Sequence, residues 1–348
     1  MTFKRPIKRK YMLGTTPIEP LKRTSALLKG PELFIKRDDL SLLAGGGNKS
    51  RKLEYLVADA LRKGADTLVT CGAYQSNHAR LTLAAAKREG LKCHLVLSDP
   101  TGHGRGAAEA SGNLFLDRLL GADKIILKPK DTDLFQALDD EVDACTDAGL
   151  KPYAITLGGS SVLGCLGYVD CALEIAAHEI SIKEEFDYIV VPVGSGGTMA
   201  GLIAGLREAG SKAKVLGINV LMKKVTQEPR IWQLVQQIAD LHKIGASAVE
   251  EDVQCFDEGL GEGYALPTDE MREAVKLLAE KEGILLDPTY TGKAFAGLIA
   301  LIRNGFFKPE DKVLFIHTGG SPALFEHQDW FVESNEMTNL PESEDTVE

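Results

Sequence analysis

The sequence predicts an α/β protein built from two open, twisted, mostly parallel sheets with flanking helices. Three observations predict it. Strand-like apolar segments alternate with helical segments from residue 33 to residue 317. The run Tyr188-Ile189-Val190-Val191-Pro192-Val193 is apolar almost throughout, as a strand buried on both faces should be. The length of 348 residues accommodates about two domains, each able to bury a core.

Taken in order, residues 33–39 read as a short strand ending in charges. Residues 50–63 read as a helix with Leu53, Leu56, Val57 and Leu61 on one face. A strand at 67–71, a helix at 77–89, a strand at 93–97, a helix at 107–120, a strand at 124–127, a helix at 134–148 and a strand at 153–157 follow. The stretch Leu157-Gly158-Gly159-Ser160 then breaks the pattern. A second series starts with a helix from 160 to about 178. It continues with a strand at 188–193, a helix at 198–209, a strand at 215–220, helices at 227–242, 268–281 and 292–303, and a strand at 312–317. On this pattern alone the chain divides into two consecutive halves at the break. Residues 333–348 carry six carboxylates and no Lys or Arg, so this acidic tail is expected to be disordered.

The balance of 40 basic against 50 acidic residues, with no basic stripe, argues against a nucleic-acid partner. No apolar run approaches the roughly 18–20 residues that span a bilayer, so no membrane partner is expected. The first six residues lack the apolar core of a signal peptide, and a cytoplasmic protein is expected. The six cysteines form no C-x-x-C and no zinc spacing with histidine, so no metal is expected.

Five stretches carry residues suited to chemistry. In Gly45-Gly46-Gly47-Asn48-Lys49-Ser50 the glycines allow close approach of a bulky group. The Lys49 amine could condense there with an aldehyde; a plain glycine turn is the alternative. Gln75-Ser76-Asn77-His78 opens a helix and could receive a carboxylate, or Ser76 could simply be an N-cap. Gly194-Ser195-Gly196-Gly197-Thr198 follows a strand and could cradle a phosphate. This raises a different class of function, a non-catalytic phosphate- or dinucleotide-binding domain. The sixth position of the dinucleotide pattern is however Met199, and Val220-Leu221-Met222-Lys223 stands where a ribose-binding acid belongs. Asp287-Pro288-Thr289-Tyr290-Thr291-Gly292-Lys293 offers Tyr290 for stacking or proton transfer, and Lys293 as a rival to Lys49. Thr318, in His317-Thr318-Gly319-Gly320, could offer a hydroxyl at the end of the last strand, and Tyr264 sits in a glycine-rich loop.

Together, and in this order, these motifs resemble the fold-type II (tryptophan synthase β-like) pyridoxal 5′-phosphate enzymes. More narrowly they resemble the group of D-cysteine desulfhydrase, L-cysteate sulfo-lyase and 1-aminocyclopropane-1-carboxylate deaminase. The resemblance runs from about Arg9 to Phe325. It implies that Lys49 holds the cofactor, Asn77 its phenolic oxygen, Gly194, Ser195, Gly196, Gly197 and Thr198 its phosphate, and Thr318 its ring nitrogen. Ser76, Asn77, His78 and Thr291 would meet the substrate, with Tyr290 and Tyr264 at the reacting atoms. It also implies a large cofactor-binding domain from residues 1–53 and 160–332, a small domain at 54–159, a small amino-acid substrate and a homodimer.

The deaminase pattern has glutamate after the active tyrosine and leucine in the His-x-Gly-Gly turn, where this chain has Thr291 and Thr318. A carboxylate at the ring nitrogen would keep it protonated and strongly electron-withdrawing, as opening a cyclopropane demands. A neutral hydroxyl suffices where a good leaving group departs from Cβ. The expected activity is therefore β-elimination at a carbon–sulfur bond. The look of residues 70–73, 80–86 and 110–113 favours L-cysteate over D-cysteine, and the deaminase is the alternative.

Overall fold

The computed structural model describes residues 6–100 and 111–331, and the structural statements below concern those residues. One sheet has six strands: β1 (Ile18–Pro20), β2 (Glu32–Lys36), β7 (Tyr188–Val193), β8 (Lys214–Asn219), β9 (Gln254–Phe256) and β10 (Lys312–Ile316). Their spatial order is β1-β2-β10-β7-β8-β9. The other has four: β3 (Thr67–Ala73), β4 (Lys92–Ser98), β5 (Lys124–Lys128) and β6 (Pro152–Ile155), in the order β5-β4-β3-β6. Every pairing is parallel except β1 with β2.

Two consecutive halves are not what forms. β2 lies beside β10, in register from Glu32 opposite Lys312 to Lys36 opposite Ile316, so the six-stranded sheet draws on both ends of the chain. The alternating pattern could not show this, because strand order is set by which apolar faces meet. Two strands escape sequence reading altogether. β1 and β9 have three residues each, too few for a period, and Pro20 is tolerated in β1 because that strand lies at the sheet edge. Helix α1 (Lys22–Leu28) was likewise not expected. The helix expected over 107–120 is α4 (Gly112–Leu119); residues 107–110 and the acidic tail lie outside the described residues.

Helices cover both faces of both sheets. On one face of the large sheet, α6 (Val162–Ile182), α7 (Gly197–Glu208) and α8 (Lys224–His242) bury Val169, Leu202, Ile203 and Ile231 against Ile189 and Val191. On the other, α9 (Asp269–Glu282) and α10 (Thr291–Arg303) bury Leu278, Phe295 and Leu298 against Val190, Leu216 and Phe315. In the small sheet, α3 (Asn77–Glu89) packs on one face and α5 (Leu134–Asp147) on the other. Helix α2 (Lys49–Arg62) joins the two bodies. Its Leu53, Leu56 and Val57 enter the core under α3, whereas Tyr55 enters the core under α6. No described helix is long and apolar enough to cross a membrane.

Parallel strands end at a common edge. The segments that follow β2, β7 and β10 therefore emerge together, as do those that follow β3, β4 and β6. Ligands of open α/β sheets bind outside such carboxyl edges.

Candidate active site

Residues from both edges line one cavity of about 200 Å³, among them Lys49, Ser76, Asn77, His78, Gly194, Ser195, Gly196, Thr198, Tyr264, Tyr290 and Thr318. The glycine turn before α2 leads into it at Asn48 and Lys49. Gly45, Gly46 and Gly47 all have positive φ, and a side chain at Gly46 would collide with the Asp39 carbonyl oxygen. Arg80 donates to the Gly46 carbonyl at 3.0 Å, and the Asn48 amide donates to the Thr318 carbonyl at 3.0 Å. The turn is thereby fixed to α3 and to the end of β10. Lys49 then starts α2 with its amine donating to Asn48 Oδ1 at 3.0 Å, while Asn48 Nδ2 donates to Thr198 Oγ1 at 3.1 Å. Burial and then the charge of Lys52 hold the Lys49 amine well below the usual lysine range, against a smaller opposing pull from Asp287. A shift in that direction favours the uncharged, nucleophilic form of the amine.

One helical turn on, the Lys52 amine donates to Ser160 Oγ at 2.9 Å and to the Gly158 carbonyl at 3.1 Å. Burial pushes it down to about 8. Ser160 Oγ lies 2.6 Å from Ser195 Oγ, and α7 starts at Gly197 after Gly196 with φ 84°. A Cβ on Gly197 would stand 2.5 Å from Ser160 Oγ and 3.0 Å from Lys52 Nζ. Lys52, Ser160 and Ser195 thus form a hydrogen-bonded chain at the start of α7, where Ser195, Gly196 and Thr198 line the cavity. Helix N–H groups with hydroxyls at such a start are donors suited to a phosphate. Lys52, Ser160 and Gly158 were not singled out for this site from sequence, because a turn of helix and a chain break give no hint of meeting.

Ser76 does cap α3, accepting from the Ala79 amide at 3.1 Å, and it also faces the cavity. Asn77 Oδ1 accepts from Asn113 Nδ2 at 3.0 Å. The Thr70 hydroxyl donates to the Ile155 carbonyl at 2.7 Å, so His78 Nε2, at 2.9 Å, must donate to Thr70. Burial, and then the neighbouring amines of Lys49 and Lys52, hold the ring well below the usual histidine range.

The Tyr264 and Tyr290 hydroxyls are 2.6 Å apart, with the rings edge to face. Burial raises both, Tyr264 to about 12 and Tyr290 well above its ordinary value, so both stay protonated at neutral pH. Tyr290 is set by Asp287, a fully buried carboxylate that accepts from the amides of Thr289, Tyr290 and Thr291 at 3.0, 2.9 and 2.8 Å. On the other side a Cβ at Gly194 would press on the Tyr290 ring at 3.2 Å.

Thr291, Gly197 and Lys293 lie outside the cavity lining. Thr291 does not line the cavity: its hydroxyl donates to Asp287 Oδ1 at 2.7 Å and accepts from the Asp287 amide at 2.8 Å, so the first turn of α10 consumes it. Gly197 lies behind the lining, as the first residue of α7. Lys293 is no rival to Lys49, since its amine is spent on the carbonyls of Leu260 and Gly263. Elsewhere His94, Glu141 and Cys145 gather within 4.8 Å, but Lys124 already pairs with Glu141 at 2.8 Å.

A buried lysine amine beside a turn suited to phosphate, on two parallel sheets sharing one cleft, is the equipment of an enzyme that holds a phosphorylated aldehyde. The family model for pyridoxal-phosphate dependent enzymes matches residues 10–319, and the chain belongs to that family. Its cofactor is pyridoxal phosphate, which the residues present fit. The chain is 46% identical over 310 residues to D-cysteine desulfhydrase of Klebsiella pneumoniae (strain 342), a match covering 89% of this chain and 93% of that one. A crystal structure of an ACC deaminase homologue superposes with a TM-score of 0.83 at 38% identity, over 94% of this chain and 95% of that one. O-ureido-L-serine synthase shares the fold, with a TM-score of 0.64 at 19% identity over 90% and 92% of the two chains.

Proposed function

We propose that the protein is a carbon–sulfur lyase that converts D-cysteine and water to pyruvate, ammonia and hydrogen sulfide. The observation that carries the proposal is the buried Lys49 amine, held well below the usual lysine range, in one cavity with a hydrogen-bonded tyrosine pair. Bound pyridoxal phosphate supplies an electron sink for the charge left at Cα. Lys49 holds the cofactor and, once exchanged for the substrate amine, takes the Cα proton. The Tyr264–Tyr290 pair stands ready to protonate the departing sulfur, since neither hydroxyl ionises near neutral pH. Ser76 and the first amides of α3 receive the carboxylate. Asn77 and Thr318 orient the cofactor ring, and the turn from Gly194 to Thr198, with Lys52, takes the phosphate.

The D-cysteine relative supports sulfide as the leaving group, rather than the sulfite that the sequence-based preference for cysteate implies. The neutral Thr318 hydroxyl supports elimination over opening of a cyclopropane. The same reading takes residues 1–53 with 160–332 as the large domain and 54–159 as the small one, in a cytoplasmic homodimer. Incubation of the cofactor-loaded protein with D-cysteine, L-cysteate and aminocyclopropane carboxylate tests it. Pyruvate and sulfide in equal amounts from D-cysteine are expected. Sulfite from cysteate, or pyruvate-free ketobutyrate from the cyclopropane, at a higher kcat/KM would overturn it.

A further inference from the structure

Lys293 is fully buried on α10, yet no carboxylate pairs with it among the described residues. Burying an ammonium without a counter-charge is costly, and such groups are kept where their hydrogen bonds hold something in place. Here the amine donates at 2.9 Å to the Leu260 carbonyl and at 2.6 Å to the Gly263 carbonyl. Both carbonyls belong to the loop that delivers Tyr264, and Gly263 is its immediate neighbour. The loop lies flat on the helix at this point. A Cβ on Gly259 would stand 2.7 Å from the Lys293 carbonyl oxygen, and one on Gly261 would collide with Thr268. Tyr290 is the N-cap of the same helix, one turn before Lys293. A single helix start therefore holds one tyrosine through its backbone and the other through a lysine tether.

We propose that Lys293 is a positioning residue for Tyr264: its two bonds to the 260–263 loop set the 2.6 Å contact between the Tyr264 and Tyr290 hydroxyls. The proposal deepens the lyase reading and rests on it for the role of the tyrosine pair. The loop has no regular secondary structure. Its start is held where Asp257 accepts from Asn219 Nδ2 at 2.7 Å and from the Lys224 amide at 2.9 Å, and Lys293 holds the part next to Tyr264. Methionine at 293 fills much the same volume and offers no donor. It would leave two carbonyls unbonded and free the loop to move by the roughly 1 Å that costs on the order of 100-fold in turnover.

The test is a double-mutant cycle on the cofactor-loaded full chain with Lys293→Met and Tyr264→Phe, together with hydrogen exchange of residues 257–264. Lys293→Met is expected to lower kcat by on the order of 100-fold. In the Tyr264→Phe background the same change should cost little more, because the group it positions is already gone. Amides of the loop should exchange faster in Lys293→Met, with or without cofactor, while those of α7 keep their wild-type rates. Lys293→Gln, which keeps an uncharged NH2 on a shorter arm, should recover part of both effects, and it carries the cycle if the methionine variant is unstable. Losses that multiply across the cycle, or wild-type loop exchange in Lys293→Met, would overturn the proposal. Absence of sulfide from D-cysteine with the wild type would instead count against the lyase reading. The exchange measurement would then still decide the tether.

Discussion

Asp287→Asn should destabilise the protein by about 3 kcal/mol. The carboxylate accepts from three amides and the Thr291 hydroxyl in a fully buried position. Asparagine must set its NH2 against one pair of these donors. Turned towards Oδ2 it would face the amides of Thr289 and Tyr290, neither of which can rotate. Turned towards Oδ1 it would face the Thr291 hydroxyl, which can rotate, and the Thr291 amide, which cannot. The second choice is the milder one. It strands one buried donor at about 1–3 kcal/mol and loses one charge-assisted bond worth about 1.5 kcal/mol. A melting temperature lower by about 5 °C should follow, and kcat should fall with it, since Tyr290 is the residue held. Differential scanning calorimetry of the holoenzyme beside sulfide release measures both. An unchanged melting temperature would show that the carboxylate is not the anchor of this turn.

Two further outcomes follow from the same geometry. Lys52→Met should weaken cofactor binding by about 10–100-fold, the loss of one charge-assisted hydrogen bond to an anion, with retention on dialysis as the measure. Cofactor retained at the wild-type level would place the phosphate elsewhere. Asp117 is buried in α4 with neither carboxylate oxygen hydrogen-bonded, and burial raises it to about 8. The unfolded chain loses this proton near pH 4 and the folded chain keeps it to about 8, so stability falls as pH rises through that window. Asp117→Asn should therefore gain melting temperature over the wild type progressively between those limits. Parallel curves would contradict the assignment.

Most of the secondary structure was legible because it is local. The apolar run at 188–193 and the capped start at Ser76 carry their meaning within a few residues, as does the glycine turn at 194–197. What was not legible depends on partners far apart in the chain. β2 could be matched with β10 only by meeting it, and β1 and β9 are too short to show a period. Lys49 was visible through the glycines before it, whereas its lowered pKa comes from burial and from Lys52. The hydrogen bonds of Thr291 were not legible for a physical reason. Thr291 follows Tyr290 directly, but a residue entering a helix turns its side chain to the capping carboxylate, and Asp287 claims it. Lys293 looked like a possible second site of aldehyde chemistry, and only the fold reveals two carbonyls waiting for its amine.

The central claim is that Lys49 is the residue that holds pyridoxal phosphate. Borohydride reduction of the yellow holoenzyme, followed by peptide mapping, tests it most directly. The account expects a single pyridoxyl adduct on Lys49, and a Lys49→Ala protein that is colourless after dialysis and releases no sulfide. An adduct on Lys52 or Lys293, or full turnover by Lys49→Ala, would contradict it.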